Sequence, residues 1–367
     1  MTKKLFFALF ILVPVFMNAF LEQDLALYFH TDSGKTIGLT GTPYPAYSSD
    51  SGAGAGLQFI LFDATNEESV NNPFNLQFDM SFTTEGEKKF ELDYRKDYSA
   101  QQWAFFTHLE YKIMPSDFWG IGADTPEQNK ESYKQDKQVI ALTLQKNYSE
   151  SLSLGPILSY YRYKFLEKKD SLMLAQGDIP GSENSLSLVG TGFVFDYNKT
   201  DSRNYPRKGY RLINENVFYL SVDESNYHFY SGSLDLRAYY PLFENHVICG
   251  QILSQNTSDT PPFQLMPKQG GPFIMRGYAN GRFIDKQFLA TQMEYRSPFW
   301  MKLGFAAYAS LGNSYKNFSD FDLSNTHFTY GTGIRLNISK ANMLNIRGDI
   351  AFSKEGHTIY FKVGESF

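Results

Sequence analysis

Alternation of apolar and polar side chains recurs along most of this chain, and it limits what the chain can fold into. In residues 74–82 every second position is Phe, Leu or Met, and the positions between carry Asn, Gln, Asp or Ser. The same period recurs in residues 90–95, 103–113, 233–240, 334–338 and 344–350. A period of two places one set of side chains on each face of a β-strand. The sequence therefore predicts an all-β fold.

The lengths of the strands and of their connections favour a membrane barrel over a soluble sandwich. The strands run for roughly nine to twelve residues, which suits a tilted membrane crossing. Tight turns at residues 97–101, 147–149, 242–245, 297–299 and 339–342 alternate with longer polar loops at 114–132, 164–184, 270–283 and 313–326. Short turns at one end and long loops at the other are typical of outer-membrane barrels.

We predict a transmembrane antiparallel β-barrel of about 16 strands, with 14 as the alternative count. The predicted strands start near residues 44, 56, 74, 88, 102, 133, 150, 185, 210, 226, 246, 285, 301, 328, 343 and 357. Aromatic residues make up 17% of the chain, which suits girdles at both membrane interfaces. The mean hydropathy of −0.36 is compatible with a barrel, because half of each strand faces a watery interior.

The beginning of the chain has the features of an export signal. Lys3 and Lys4 precede an apolar run over residues 5–17, and Ala19 offers a cleavage point. We therefore predict a signal peptide at 1–19, a short periplasmic or lumenal lead-in at 20–42, and the barrel at 43–367. The expected location is the outer membrane of a Gram-negative-type cell, with outer-membrane lipid as a partner.

Composition also excludes several kinds of chemistry. The net charge of −5 provides no basic surface for nucleic acid. The single cysteine, Cys249, allows neither an intrachain disulfide nor a cysteine-based metal site. The six histidines show no metal-ligand spacing, and no nucleophile, histidine and carboxylate are selected as a set. We expect no cofactor, no metal and no enzymatic activity, and an outer-membrane enzyme ranks last among the candidate functions.

Residues 270–283 (GGPFIMRGYANGRF) are the most unusual segment of the chain. They hold four glycines, two arginines and three aromatic residues. The segment is too polar for a strand and too patterned for a flexible linker, and it has neither the spacing nor the βαβ context of a phosphate-binding loop. We predict a loop that folds back into the barrel lumen between strands 11 and 12. Its candidate functional residues are Gly270, Gly271, Arg276, Gly277, Tyr278, Gly281 and Arg282.

Two further motifs lie at a predicted turn and at the end of the last strand. The turn motif comprises Asp201, Arg203, Pro206 and Gly209; Pro206 restricts φ and Gly209 permits a tight geometry. In the last strand Ile359, Phe361, Val363 and Phe367 are expected on one face, toward lipid. An aromatic residue ending such a strand suits recognition by barrel-assembly machinery, so the candidate assembly signal is Phe361, Val363, Gly364 and Phe367.

With these three motifs the chain resembles the BamA/TamA-like bacterial surface antigen family. The resemblance implies a sixteen-stranded barrel whose sixth outer loop tucks inside, with the loop arginine paired to acids of the inner wall. Here the arginine is Arg276 and the wall residue expected to face it is Glu294. The alternative, a solvent-exposed Arg276, stays open. Ser310, in the run 308–312, occupies the position of a second wall acid of the family, and we name it with Glu294 as a candidate inner-wall partner of the loop.

The resemblance implies that the barrel assists insertion or translocation of proteins through a lateral seam between its first and last strands. Two departures weaken this transfer. Ser310 replaces the usual Asp, and only about two dozen residues separate the signal peptide from the first predicted strand, which leaves no room for the family's periplasmic substrate-binding modules. An unidentified periplasmic partner could supply such a module. The alternative function is a passive pore or a structural barrel.

Overall fold

A computed structural model describes residues 26–32, 34–48, 51–63, 74–98, 102–168, 172–202, 204–339 and 344–367. The predicted signal peptide at 1–19 lies outside these residues. In the described part of the chain, helical structure is limited to α1 (Met173–Gln176) and to three 3-10 turns, Glu127–Asn129, Phe318–Asp320 and Leu323–Asn325. Within these ranges, no helix is long and apolar enough to cross a membrane.

Nineteen strands make up the rest of the regular structure of the described residues. In chain order they are β1 (Ala26–His30), β2 (Thr36–Ser48), β3 (Gly52–Asp63), β4 (Phe74–Thr83), β5 (Lys88–Tyr98), β6 (Trp103–Phe118), β7 (Glu131–Asn147), β8 (Leu152–Glu167), β9 (Ser185–Asn198), β10 (Gly209–Ser221), β11 (His228–Pro241), β12 (Val247–Thr257), β13 (Lys268–Gln269), β14 (Phe283–Ile284), β15 (Gln287–Arg296), β16 (Leu303–Tyr315), β17 (His327–Ser339), β18 (Leu344–Ser353) and β19 (Gly356–Val363).

Sixteen of these strands, β2–β12 and β15–β19, form a closed antiparallel barrel in which each strand pairs with the next along the chain. This confirms the predicted fold class and strand count. The predicted starts lie within two residues of the observed ones from β4 onward, but β2 begins at Thr36 rather than near residue 44. Gly41, Pro43 and Pro45 interrupt the strand signal there, because glycine and proline normally mark turns.

The barrel wall is apolar outside and polar inside. On β15, Met293 is 60% exposed on the outer surface, whereas its neighbours Gln292 and Glu294 are each 1% exposed and face the lumen. Other outward side chains include Leu158, Phe193, Phe218, Ile252, Phe305 and Ile334. An apolar outer band around a polar interior is the pattern of a barrel that spans a membrane.

The two ends of the barrel differ in their connections. Residues 119–130, 168, 172–184, 258–286 and 316–326 lie at one end, which we call the loop end. Residues 148–151, 199–202, 204–208, 242–246 and 297–302 lie at the opposite end, the turn end. The loops predicted at 114–132 and 164–184 are shorter than expected, because β6 continues to Phe118 and β8 to Glu167.

The barrel closes between β2 and β19, and we call this junction the seam. Among the described residues the two strands share one register pair, Phe361 opposite Tyr47, whereas β18 and β19 share eight. The short strand β1 pairs with the same β2, from Ala26 opposite Thr40 to His30 opposite Thr36. The predicted lead-in at 20–42 therefore contains β1 and the first part of the barrel, so the predicted boundary at residue 43 is wrong.

Candidate functional site: the lumen loop and its charge cluster

Arg276 is the centre of the site and is fully buried inside the barrel. Its Nη2 donates to Oε2 of Glu294 at 2.8 Å, and its Nη1 donates to Oδ2 of Asp349 at 3.2 Å. The guanidinium carbon lies 3.3 Å from the ring centroid of Tyr308. Charge-assisted hydrogen bonds and the face of an aromatic ring both favour a guanidinium. The structure thus brings together Arg276 and Glu294, as the sequence predicts.

Ser310 is not a partner of Arg276, so that part of the prediction is wrong. Its side chain faces the lumen, but among the described atoms its buried Oγ has no hydrogen-bond partner. Asp349 on β18 supplies the second carboxylate instead. Alternation along β18 places Asp349 inside, between the outward Gly348 and Ile350. Alternation in the sequence places both Asp349 and Arg347 on the inner face of β18. It does not indicate which loop residue Asp349 contacts, so its pair with Arg276 was not predicted.

Arg276 belongs to a larger group that we call the buried charge cluster. Arg296 Nε donates to Oε1 of Glu294 at 2.8 Å, and Arg335 donates to Asp349 at 2.6 Å and to Glu365 at 2.8 Å. Each member's side chain is at most 3% exposed. The cluster contains four cations and three anions, namely Arg276, Arg296, Arg335, Arg347, Glu294, Asp349 and Glu365.

The backbone of the loop docks on the inner faces of β18 and β19. Ser353 Oγ donates to the carbonyl of Gly277 at 3.0 Å, and Tyr360 Oη donates to the carbonyl of Tyr278 at 2.9 Å. Gly277 has a φ of +114°, and a Cβ there would lie 2.9 Å from the backbone of Phe352. Only glycine combines that φ with so close an approach. The loop therefore braces β19, one of the two seam strands.

The remaining predicted loop residues lie in the same fold-back. Gly270, Gly271 and Gly281 also have positive φ values, of +103°, +105° and +70°. Tyr278 is buried among the apolar side chains of the loop, and burial raises the pKa of its hydroxyl to about 12. Because a phenol with that pKa stays protonated, Tyr278 serves as a neutral packing group.

Arg282 holds the loop to the loop end of the barrel. It donates to Oε2 of Glu355 at 2.8 Å, and to Oγ1 and the carbonyl oxygen of Thr125 at 3.0 and 2.8 Å. The N–H of Gly122 donates to the carbonyl of Ile284 at 2.8 Å. The fold-back is thus tied to two outer connections, 119–130 and 354–355. Thr125 and Glu355 were not predicted, because nothing local in the sequence links them to Arg282.

The predicted turn motif lies in the connection between β9 and β10, at the turn end of the barrel. Asp201 Oδ1 accepts from the N–H groups of Arg207 at 2.9 Å and Lys208 at 3.1 Å. Gly209 has a φ of +108°. The ring centroid of Tyr205 lies 5.4 Å from the guanidinium carbon of Arg296, and burial raises the pKa of this tyrosine well above its usual range.

Pro206 is buried beside Tyr205 in this turn, and Arg203 lies outside the described residues. The motif therefore has two parts. Asp201, as a hydrogen-bond acceptor, and Gly209, with its left-handed backbone, form the turn, and Tyr205 enters the lumen. The turn reaches the buried charge cluster through Tyr205, which the sequence did not single out.

The residues after β19 turn into the barrel and do not face lipid. Gly364 has a φ of +84°, which turns the chain inward. Glu365 Oε1 accepts from Asn345 at 2.8 Å, and the carbonyl oxygen of Phe367 accepts from Arg296 at 2.9 Å. The side chain of Phe367 is buried in a cluster with Tyr239, Val247 and Cys249.

The prediction that Phe367 shares the lipid face of the last strand is therefore wrong. Period two ends at Gly364, because a left-handed residue breaks the alternation. Phe361 and Val363 keep the alternation of β19, since the even-numbered Thr358 and Tyr360 are buried toward the loop. The assignment of Phe361, Val363, Gly364 and Phe367 as an assembly signal stays a prediction.

One group of potential metal ligands lies on the opposite wall. Within the described part of the chain, the side chains of Glu91, Asp93 and His108 come close enough to hold an ion. His108 Nδ1 lies 2.7 Å from Asp93, and Lys89 Nζ lies 3.0 Å from Glu91. Since Lys89 already contacts Glu91 and His108 already contacts Asp93, the group is accounted for by contacts within β5 and between β5 and β6.

Comparisons with known proteins agree with this geometry. A family model described as the Omp85 superfamily domain matches residues 67–367. No curated protein matches the chain in a sequence search. Among solved structures, the chain is similar to BamA from Haemophilus ducreyi lacking POTRA domains 1-3, with a TM-score of 0.59 and 14% identity over 94% of this chain and 75% of that one.

Two CdiB structures are also similar. CdiB from Acinetobacter baumannii gives a TM-score of 0.52 at 10% identity, over 90% of this chain and 59% of that one. CdiB from Escherichia coli gives a TM-score of 0.57 at 10% identity, over 93% of this chain and 67% of that one. At these identities the likeness shows the barrel fold, and the activities of those proteins do not follow from it.

Proposed function

Because the chain belongs to the Omp85 superfamily, whose barrels lie in the outer membrane, we propose that it assists the insertion or translocation of polypeptides there. The family match confirms the resemblance predicted from the motifs. The proposed route is the seam between β2 and β19, which opens sideways to let an extended client segment pair with a strand edge. The proposal includes no enzymatic step.

The observation that carries this proposal is the weakness of the seam. Among the described residues, one register pair joins β2 and β19, whereas β9 and β10 share eleven. Each missing ladder pair removes backbone hydrogen bonds that a membrane cannot replace. A junction with so few described pairs is expected to cost less to open than a fully paired one such as that between β9 and β10. The loop around Arg276 braces β19 from inside, so it can hold one side of the junction while the other moves.

The partners follow from this proposal. Outer-membrane lipid contacts the apolar wall, and barrel-assembly machinery reads the last strand during biogenesis. A separate periplasmic protein delivers clients to the turn end. An N-terminal signal peptide exports the chain.

A disulfide across the seam tests the proposal. In Tyr47→Cys/Phe361→Cys the two cysteines replace the single register pair, and opposed residues of antiparallel strands lie within disulfide reach. Purified protein in liposomes is given a urea-unfolded outer-membrane barrel, and insertion is followed by protease protection. We expect oxidation to block insertion and reduction to restore it.

The matched control is Val189→Cys/Leu220→Cys, a register pair between β9 and β10 far from the seam. Its oxidation should leave insertion unchanged. Equal insertion by the oxidised and reduced seam variants would rule out sideways opening.

The second candidate is a passive pore, and the lumen supplies an observation in its favour. A cavity of about 430 Å³ lies beside the loop, with Asp79, Lys89, Glu91, Glu110 and Lys112 among its lining residues. Such a cavity could conduct ions if it were continuous from end to end. Single-channel recording separates the two: a stable open conductance favours the pore, and a closed or flickering barrel favours the moving seam.

A further inference from the structure

The edge of β2 that faces the seam is shared by two neighbours, β1 and β19. Its first part, Thr36–Thr40, pairs with β1, and Tyr47 pairs with Phe361 of β19. No described strand pairs with residues 41–46 between them on this edge. The other edge of β2 is fully paired with β3 from Ile37 to Ser48. Among the described strands, the seam edge is therefore where β2 has residues without a strand partner.

The unpaired stretch, residues 41–46, lies where the residues after β19 would pair if they did not turn into the lumen. Extending the register of Phe361 opposite Tyr47 residue by residue would set Phe367 opposite Gly41, directly next to Thr40, where pairing with β1 begins. The buried charge cluster instead holds Glu365 inside the barrel. The gap is thus the space left by the segment after β19.

Two prolines make this gap a poor partner for that segment. Pro43 and Pro45 lie in the unpaired stretch, and neither has an N–H to donate. A proline in a paired strand is tolerated where its nitrogen faces an open edge, so both nitrogens are expected to face the seam. The part of the edge with its full set of donors is the part that β1 covers.

The turn-end part of β2 and β3 also overlaps the last strands from outside. Ile60 and Phe62 pack against residues of those strands, Leu336, Ile346 and Val363. Leu336 lies between Arg335 and Asn337, both buried toward the lumen, so Leu336 faces outward. At this end the seam is therefore closed by apolar packing and by β1, and not by a ladder of described backbone pairs between β2 and β19.

We propose that β1 is an internal occupant of the seam edge of β2, which an extended apolar client segment must displace in order to pair there. The inference rests on the proposed function and names the regulation of the same site. Leu27, Tyr28 and Phe29 of β1 are 64%, 49% and 51% exposed, so a small strand with little burial holds the position. A five-residue strand with one partner is the easiest part of the sheet to detach.

A peptide-binding experiment tests this directly. The probe is a synthetic peptide of residues 356–367 of this chain carrying a photoreactive benzophenone, and the readout is crosslinking to β2 of the full-length protein in lipid nanodiscs. Leu27→Pro removes a donor and breaks the β1 hairpin. Leu27→Cys/Leu39→Cys locks the hairpin at a register pair when oxidised.

We expect Leu27→Pro to raise crosslinking roughly tenfold, since a short strand with a few favourable cross-strand pairs is the only competitor removed. The oxidised lock should lower crosslinking below the wild-type level, and reduction should restore it. The Val189→Cys/Leu220→Cys variant serves again as the control disulfide and should change nothing. Heat-modifiable mobility shows that each variant is folded.

Two results would overturn the proposal: unchanged crosslinking in Leu27→Pro, or an oxidised lock that binds as well as wild type. Absence of crosslinking in every variant would overturn it as well, because a freed edge would then take no strand. Failure of the proposed function looks different. In that case no client is inserted into liposomes, while the peptide still responds to the state of β1.

Discussion

Glu294 is the carboxylate on which the buried charge cluster depends most. It accepts from Arg276 and Arg296 at 2.8 Å each, and Arg335 approaches it at 3.6 Å. Glu294→Gln keeps the size and shape of the side chain but removes the charge. The cluster then changes from four cations and three anions to four cations and two anions, so its net charge rises from one to two.

The expected cost follows from burial. Removing one partner of a buried ion pair costs about 3–5 kcal/mol, because the other charge stays buried without compensation. Glu294→Gln should lie at the upper end, since three guanidinium groups lose an acceptor. Arg276→Met should cost less, because it leaves three cations facing three anions. In Arg276→Met/Glu294→Gln the net charge returns to one, and we expect a coupling free energy of about 2 kcal/mol.

The assay is urea unfolding followed by tryptophan fluorescence in detergent micelles, with Trp103, Trp119 and Trp300 as reporters. The order expected for the free energy of unfolding, from highest to lowest, is wild type, Arg276→Met, Glu294→Gln and the double variant, whose loss should fall about 2 kcal/mol short of the sum of the two single losses. The matched control is Glu91→Gln, the same substitution at a partly exposed ion pair on the opposite wall. It should cost no more than about 1 kcal/mol.

Additive losses in the double variant would refute the reasoning, because they would mean that Arg276 and Glu294 stabilise the barrel independently. The cluster also predicts the outcome of a charge swap. In Arg276→Glu/Glu294→Arg the new arginine would face Arg296 and Arg335. We expect no rescue relative to Arg276→Glu alone, and restored assembly would show that Glu294 serves Arg276 only.

Three further changes have defined outcomes. Gly277→Ala should prevent the loop from seating and abolish the heat-resistant compact form on gels, because its Cβ would lie 2.9 Å from the backbone of Phe352; Gly250→Ala, with nothing within 4 Å of the new Cβ, is the neutral control. Ser310→Ala should change the urea midpoint little or raise it slightly, since its buried hydroxyl has no partner among the described atoms. Arg282→Met should increase single-channel conductance, because it releases the loop from the loop end; unchanged conductance would mean that the loop is held elsewhere.

Most of the barrel could be predicted from the sequence, because the relevant signal is local. Period two along a strand determines which side chains face inward, and it placed Glu294 inside without knowledge of any neighbour. The first barrel strand was misplaced for an equally local reason. Pro43 and Pro45 normally end strands, but on an open edge their missing N–H groups cost little.

The composition of the site could be predicted only in part, because its partners come from distant strands. Asp349 and Arg276 are 73 residues apart, and the pattern around each shows only that both are inward or in a loop. The inward turn at Gly364 was hidden for another reason: glycine permits a left-handed φ without requiring one. The resemblance to the family correctly predicted that Arg276 pairs with Glu294, and it incorrectly predicted Ser310 as a partner.

The shared carboxylates of the cluster also impose an order on how the chain acquires its structure. Of the three acids, Asp349 lies on β18 and Glu365 follows β19, so two of them come from the last part of the chain. Before these last strands join the wall, Arg276, Arg296 and Arg335 have only Glu294 among the cluster's acids, and burying uncompensated charges is strongly unfavourable. The loop can therefore seat only as a late event. The strands before it must wait in a form that keeps the lumen hydrated, which makes biogenesis sensitive to any truncation that removes Asp349 or Glu365.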